Sequence, residues 1–177
     1  GSEPRLGTPD EVLSRHLAET SAWFEKNIPD FECPDAWFTR LWYHRWFVVR
    51  RCLAEPSAGK LGGPCFYAGR TLEEHAQVSP FGHAMQLAEV RWLRDPAFAR
   101  GHVRSLFDNQ LQGRAGFFDG EFPVVRVHRT IDHWYAGWVA SEPWELDLVH
   151  PDLAFLEALL PKMERGTQGI LDWFDSD

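Results

Sequence analysis

The chain opens with apolar residues at helical spacing behind a clear helix-start signal. Thr8-Pro9-Asp10-Glu11 has the form of a capping box with proline at the first helical position. Leu13, Leu17 and Phe24 then recur on one face. This pattern predicts an amphipathic first helix with a single apolar stripe.

A second helix is predicted from Pro34-Asp35 to about Glu55, because Pro56 cannot continue it. Its apolar residues fall on nearly every side of the helix: Trp37, Phe38, Leu41, Trp42, Trp46, Phe47, Val48 and Val49. A helix that is apolar all round is typically a buried one. We therefore expect the second helix to be buried.

The third and fourth helices are predicted to follow each other directly. The third runs from Ser79-Pro80 to about Arg94, and Asp95-Pro96 opens the fourth, which runs to about Gln112. Apolar residues mark one face of each: Phe81, Met85, Ala88 and Trp92 in the third, and Val103, Leu106 and Phe107 in the fourth. The pattern predicts a helical hairpin in which the third helix is mostly buried and the fourth is half-buried.

The last two helices are predicted near the C-terminal end. The fifth begins near Thr130 and continues until Pro143 kinks or stops it. The sixth opens at His150-Pro151-Asp152, and Pro161 and Gly166 should disturb or divide it. Their apolar positions are Ile131, Trp134, Tyr135 and Trp138 in the fifth, and Leu153, Leu156, Leu160 and Met163 in the sixth.

Long loops separate the predicted helix pairs. Residues 56–77 and 113–129 are rich in glycine, proline and polar residues, and a short strand is predicted in each, at 65–68 and at 124–127. The links within a pair are short. The sequence therefore predicts an all-α fold of three helical hairpins in one domain spanning residues 1–177, arranged in two layers, with short β segments in the long loops.

The charge and composition of the chain limit the kinds of partner and cofactor that we expect. The net charge of −8 argues against the basic surface that a nucleic acid or an anionic membrane requires. No apolar run reaches the roughly 20 residues of a membrane span. The three cysteines have no CxxC spacing, so neither a disulfide framework nor a zinc site is expected, and no cofactor is implied. Gly1-Ser2 has the form of a cloning scar, and the absence of a visible secretory signal favours a cytoplasmic location without deciding it.

Aromatic residues make up 14% of the chain, and nine of them are Trp. Indole rings suit flat, partly apolar ligands such as sugars, because the ring face is apolar and its edge can form hydrogen bonds. The alternative is that these residues simply fill wide gaps between helices. Composition alone leaves both interpretations open.

Four segments, in this order, resemble the (α/α)6-barrel glycosidases and glycoside phosphorylases, the six-hairpin enzymes that act on α-glucosides and related sugars. They are residues 79–96 (SPFGHAMQLAEVRWLRDP), 131–138 (IDHWYAGW), 150–156 (HPDLAFL) and 170–174 (ILDWF). The resemblance covers the chain from about Glu32 to its C-terminal end and rests on the order and spacing of the segments. It implies an inner and an outer layer of helices that form part of a toroid.

The resemblance implies a proton donor and a set of sugar contacts. Glycoside hydrolysis needs two carboxyl groups, one of which donates a proton. Asp132 is at the start of the fifth predicted helix, where similar barrels carry the general acid; helix capping is the alternative role. The implied substrate contacts are Arg70, Glu74, His83, Gln86, Asp119, Arg129, His133 and Trp134.

Simpler roles compete with several of these assignments. Arg70 and Glu74 belong equally to a solvated charged loop, and His83 has the sequence surroundings of a core histidine. A metal site at His128 and His133 is disfavoured, because further ligands at zinc spacing are lacking. A non-catalytic carbohydrate-binding or assembly module is the alternative function, and a helical repeat scaffold is disfavoured because the hairpins share no repeat sequence.

The chain departs from the resembling family in its number of helices. The family barrel has twelve helices and two carboxyl groups drawn from opposite halves of the ring, whereas six helices are predicted here. The sequence is therefore expected to provide the first half of such a barrel, inactive by itself as a glycoside hydrolase. Its exposed edges should drive homo-oligomer formation.

Overall fold

The computed structural model describes residues 7–54, 63–69, 78, 80–108 and 141–174. Over these residues the chain is mostly helical with one two-stranded sheet, as predicted for an all-α fold. The elements are α1 (Pro9–Asn27), α2 (Ala36–Arg51), β1 (Leu53–Ala54), β2 (Cys65–Phe66), α3 (Pro80–Val90), α4 (Pro96–Phe107), α5 (Ser141–Asp147) and α6 (Leu153–Phe174).

Side-chain caps set the starts of α1, α2 and α4. The backbone N–H of Glu11 donates to Thr8 Oγ1 at 3.3 Å, and the N–H of Thr8 donates to Glu11 Oε2 at 2.7 Å, which closes the capping box. The carboxylate of Asp35 accepts the N–H of Trp37 at 2.8 Å, and Asp95 caps α4 in the same way. The predicted starts of these three helices are confirmed.

α1 is attached to the rest of the chain at its C-terminal end. The backbone N–H of Arg94 donates to the carbonyl oxygen of Asn27 at 2.8 Å. The Arg94 guanidinium donates to the carbonyl of Glu25 and to the carboxylate of Asp30, each at 2.8 Å. These bonds satisfy carbonyl groups that the last turn of a helix leaves without an intrahelical partner. Residues 9–19 of α1 are exposed.

The two short strands form an antiparallel ladder that packs on α4. Leu53 pairs with Phe66, and Ala54 with Cys65. Both β2 residues are buried, and β2 contacts α4. The strand predicted at 65–68 is therefore present at Cys65–Phe66, while residues 124–127 lie outside the described part of the chain.

α4 lies at the centre of the core. It contacts α3, α5, α6 and β2. Its buried apolar residues are Ala99, Val103, Leu106 and Phe107, and the neighbouring elements contribute Leu87, Val90, Leu146 and Leu159. The predicted apolar stripe of the fourth helix is confirmed, but its predicted half-burial is wrong: seven of its 12 residues are buried, and Ala97 and Arg104 are the exposed ones. The predicted contact of the third helix with the fourth is also present. α5 contacts α6, but α5 (Ser141–Asp147) overlaps the predicted fifth helix only at its last residues, so the third predicted hairpin stays a prediction.

The predicted burial of the second and third helices is wrong in detail. In α2 only Trp46 and Val49 are buried, while Trp37 is 63% exposed. The predicted apolar face of the third helix is turned outward: Met85 of α3 is 67% exposed, and Trp92, which follows α3, is 49% exposed. The buried face carries His83, Leu87 and Val90 instead. An apolar periodicity predicts that a face exists, but neighbouring elements decide which face they cover.

The predicted proline boundaries near the C-terminal end are also wrong. α6 is continuous from Leu153 to Phe174 and contains Pro161, which neither ends nor divides it. Pro143 lies in the first turn of α5, where the missing N–H costs no intrahelical bond. The predicted start of the fifth helix near Thr130 lies outside the described residues. The closed toroid stays a prediction.

Candidate functional site

The described residues include two of the predicted site residues, His83 and Gln86. The predicted proton donor Asp132 and the predicted sugar contacts Arg70, Glu74, Asp119, Arg129, His133 and Trp134 lie outside the described part of the chain. His83 has no exposed surface. Gln86 is half-buried, and its Nε2 donates to the carbonyl oxygen of Tyr67 at 2.7 Å. His83 therefore fits the core-histidine alternative, and Gln86 binds the loop beside β2.

A groove between α2 and α3 brings together residues that the sequence analysis did not assign to a site. Its volume is about 250 Å³, and we call it the indole groove. Its lining consists of Trp42, Arg45, Trp46, Val49, Ala88, Glu89 and Trp92. The residues from α2 are spaced by three or four positions, so they share one face of that helix. Ala88 and Glu89 lie near the end of α3, and Trp92 follows that helix.

Trp42 and Trp46 form the floor of the indole groove, and contacts with neighbouring groups hold their rings in place. Trp42 Nε1 donates to the carbonyl oxygen of Pro29 at 3.3 Å, and the Trp42 ring stacks on Phe31 with centroids 5.0 Å apart. Trp46 meets Trp42 edge to face at 5.7 Å and is only 4% exposed. Such aromatic pairs contribute roughly 0.5–1.5 kcal/mol beyond their buried area. The rings of the floor are therefore preorganised by contacts within the protein.

Trp92 and an ion pair form the accessible part of the groove. Trp92 is 49% exposed, and the guanidinium of Arg91 lies over its ring, 5.4 Å from the centroid. The Arg45 guanidinium binds the Glu89 carboxylate, and both side chains remain substantially exposed. An exposed pair of this kind contributes little stability, because water screens it. Both groups can therefore exchange their mutual bond for bonds to a ligand.

The chemistry available in the groove is binding. A ring that stacks on an indole face and hydrogen-bonds at its edge would meet Trp92, Arg45 and Glu89. The volume lies below the ~300–1,000 Å³ of pockets that enclose drug-sized ligands, so the groove suits a single ring. The lining holds one carboxylate, whereas hydrolysis of a glycoside needs two.

A second polar assembly is fully buried where α3, α4 and α5 meet. It comprises His83, His102 and Glu142, and we call it the buried imidazole cluster. His83 Nδ1 lies 2.6 Å from Glu142 Oε2, and His83 Nε2 lies 2.8 Å from the carbonyl oxygen of His102. The two imidazole rings stack with centroids 3.6 Å apart and planes within 6°. Among the described residues, Glu142 Oε1 has no hydrogen-bond partner.

Burial shifts all three pKa values towards the neutral forms. It lowers the pKa of His83 to about 3, against a smaller upward effect of the bond to the His102 carbonyl. Burial also lowers the pKa of His102, and the neighbouring His83 adds to this. Burial raises the pKa of Glu142 well above its usual range, and the nearby Glu145 carboxylate raises it further.

The sequence pattern indicates only part of the buried imidazole cluster. His83 is a polar residue on an apolar helix, but its partner Glu142 is 59 residues away along the chain. His102 is part of the buried stripe of α4, between Gly101 and Val103. A polar residue inside an apolar stripe indicates a buried hydrogen bond. The sequence does not indicate which residue is its partner.

Neither a metal site nor a membrane span is found among residues 7–54, 63–69, 78, 80–108 and 141–174. No group of three or more His, Cys, Asp or Glu side chains in these ranges is placed to hold a metal ion. No helix within them combines the length and the apolar character needed to cross a bilayer. No family model, curated protein or solved structure matches the chain.

Proposed function

We propose that this chain is a carbohydrate-active helical domain of glycoside hydrolase type, in which the indole groove contributes a sugar contact. The indole groove is the observation that carries the proposal. In this groove the partly exposed indole of Trp92 lies beside a hydrogen-bond donor, Arg45, and an acceptor, Glu89, which bind each other. The resemblance of four sequence segments to six-hairpin enzymes supports the same substrate class.

The physical case rests on complementarity between the groove and a sugar ring. One face of a pyranose presents C–H groups and packs on an indole, while its hydroxyl groups both donate and accept hydrogen bonds. Trp92 offers the apolar surface, Arg45 donates and Glu89 accepts. Because Arg45 and Glu89 carry opposite charges, the groove adds no net charge of either sign. It therefore favours a neutral sugar over a charged one.

Binding is tested by titrating the protein with neutral monosaccharides and disaccharides while intrinsic tryptophan fluorescence is recorded. Trp92→Ala should weaken binding about tenfold, since losing one aromatic stacking contact costs roughly 1.4 kcal/mol. Trp144→Ala is the matched control, because Trp144 is 61% exposed on α5 and does not line the groove. Equal affinities for wild type and Trp92→Ala would rule the groove out as a sugar site.

The catalytic part of the proposal rests on Asp132 as proton donor. The isolated chain should turn over no simple glycoside, because a general acid without its partner carboxylate loses orders of magnitude in rate. Turnover of aryl glycosides by the pure protein, abolished in Asp132→Asn, would show that the chain is a complete enzyme. Sugar binding with no turnover is the expected result, and it agrees equally with the alternative, a non-catalytic binding module.

A further inference from the structure

The buried imidazole cluster joins three helices through side chains that no proposed function uses. His83 belongs to α3, His102 to α4 and Glu142 to α5. All three are at most 1% exposed. Their hydrogen bonds run from the α5 carboxyl group to the α3 ring and on to the α4 backbone. The attachment of α5 to the core therefore depends on where the protons of this cluster reside.

Donor and acceptor rules place the first of these protons. A carbonyl oxygen only accepts, so the 2.8 Å contact between His83 Nε2 and the His102 carbonyl requires a proton on Nε2. If His83 is neutral, its Nδ1 then carries no proton. Glu142 Oε2 lies 2.6 Å from that Nδ1, which is the distance of a hydrogen bond and not of two facing lone pairs.

One further proton must therefore lie between His83 and Glu142. It is bound either to Oε2, giving a neutral acid beside a neutral ring, or to Nδ1, giving a carboxylate beside an imidazolium. In both cases the pair is neutral overall and holds one proton more than a free carboxylate with a free neutral histidine. A bare buried carboxylate facing a lone pair would carry a large desolvation cost.

We propose that the His83–Glu142 pair holds α5 against α3 and α4 only while it carries the shared proton. The folded protein retains this proton at neutral and mildly alkaline pH, and loss of the proton to solvent releases α5. The shift of the Glu142 pKa upward and of the His83 pKa downward agrees with a proton on the carboxyl group.

His102 limits the alternatives for proton placement. Its Nδ1 accepts the backbone N–H of Phe66 at 3.2 Å, so it carries no proton there. Its Nε2 faces the carbonyl oxygen of His83 at 3.4 Å and carries the ring proton. A second proton on His102 would place two donors against each other. His102 is thus neutral and does not supply the charge that a bare Glu142 carboxylate would need.

Three ion pairs lie on the elements around α5. The pairs are Glu145 of α5 with Arg91 after α3, Asp152 before α6 with Arg100 of α4, and Lys162 of α6 with Asp108 at the end of α4. Asp147 of α5 instead accepts the backbone N–H of Asp152 at 2.8 Å, and His150 Nε2 lies 3.0 Å from the Leu93 carbonyl oxygen. Of these groups, Glu145 is the one that acts on Glu142, and its negative charge favours retention of the proton. The pH response is therefore assigned to the cluster itself.

The direction of the pH response follows from comparing the two states. Above about pH 6.5 an unfolded or detached α5 leaves an ionised Glu142 and a neutral His83, one proton fewer than the attached pair. The attachment of α5 therefore weakens as pH rises. The equilibrium constant for opening increases tenfold for each pH unit, until the attached pair itself loses its proton. Between about pH 4.5 and 6.5 the detached His83 gains a proton, and the contribution of the pair is flat.

Hydrogen exchange of the α5 amides between pH 6 and pH 9 tests the proposal. Glu142→Gln keeps a donor towards Nδ1 but cannot ionise, so the ratio of wild-type to variant exchange rates should rise tenfold per pH unit above pH 6.5. Glu145→Gln, on the same helix with its side chain 42% exposed, is the control and should keep the wild-type slope. A ratio that stays constant from pH 6 to pH 9 overturns the proposal.

A measurement on the wild-type protein covers the case in which Glu142→Gln fails to fold. Labelling the histidine ring nitrogens with 15N reports the tautomer of each buried ring. The proposal requires a proton on His83 Nε2 throughout pH 6 to 9. A neutral His83 that carries its single proton on Nδ1 would mean an ionised Glu142, and the shared proton would not exist.

Discussion

Replacing Gly101 with alanine should destabilise the protein, although alanine is the better helix former. A Cβ atom on Gly101 would lie 2.2 Å from the carbonyl oxygen of Pro64, 3.0 Å from its nitrogen and 3.1 Å from the carbonyl carbon of Gly63. These are backbone atoms, which cannot rotate away as a flexible side chain can. The segment before β2 would have to move by roughly 1 Å to reach ordinary contact, and overpacking of this kind costs about 1–3 kcal/mol.

The size of the effect follows from setting the clash against helix propensity. Alanine gains about 1 kcal/mol over glycine inside a helix. A backbone clash at 2.2 Å belongs at the upper end of the overpacking range, so we expect a net loss of about 2 kcal/mol for Gly101→Ala. For a domain of this size the midpoint of thermal unfolding should fall by about 4–8 °C.

Gly82→Ala is the matched control in α3. A Cβ there meets no atom within 4 Å, so the propensity gain is not opposed, and the variant should gain up to about 1 kcal/mol. Urea unfolding of both variants at one pH measures the two free energies, with equal m-values showing that the unfolded state is unchanged. If Gly101→Ala proves as stable as Gly82→Ala, the close approach of α4 to the segment before β2 is refuted.

Two further predictions concern reactivity and assembly. Burial raises the pKa of the Cys65 thiol to about 12, so at pH 8 a thiol reagent should modify Cys65 only after unfolding. Cys65→Ala should therefore leave the number of thiols that react in the native protein unchanged. Modification of all three cysteines in the native protein would contradict this. Trp37 and Phe38 on α2 are 63% and 53% exposed, and an exposed apolar patch of this kind favours self-association. Sedimentation at micromolar concentration should therefore show an oligomer, and Trp37→Lys should weaken it. A monomeric wild-type protein would contradict the predicted self-association.

Helix starts were predictable because their signals are local. Thr8, Asp35 and Asp95 each satisfy a backbone N–H two or three residues away, and the structure confirms the helices that they begin. The stripe of α4 was also predictable, since Val103 and Leu106 repeat at helical spacing and both are buried.

The buried faces and the polar contacts were not predictable in the same way. Met85 and Leu87 are equally apolar neighbours on α3, yet one is 67% and the other 1% exposed, because α4 and α5 cover only one side. The partner of His83 is 59 residues away along the chain and comes from another helix, α5. Contacts of this kind depend on tertiary packing, for which one sequence carries no local signal.

The attachment of α1 through its last turns has a consequence for how stability is distributed along that helix. Trp23 and Phe24 pack against the core, and Asn27 is buried, whereas residues 9–19 contact mainly solvent. A helical stretch as short as residues 9–19 is marginal in water without tertiary contacts, so these exposed turns are held mainly by their own hydrogen bonds and the Thr8 cap. The free energy of local opening should therefore rise steadily towards Asn27, making α1 a helix that melts from its first turn while its final turn stays in place.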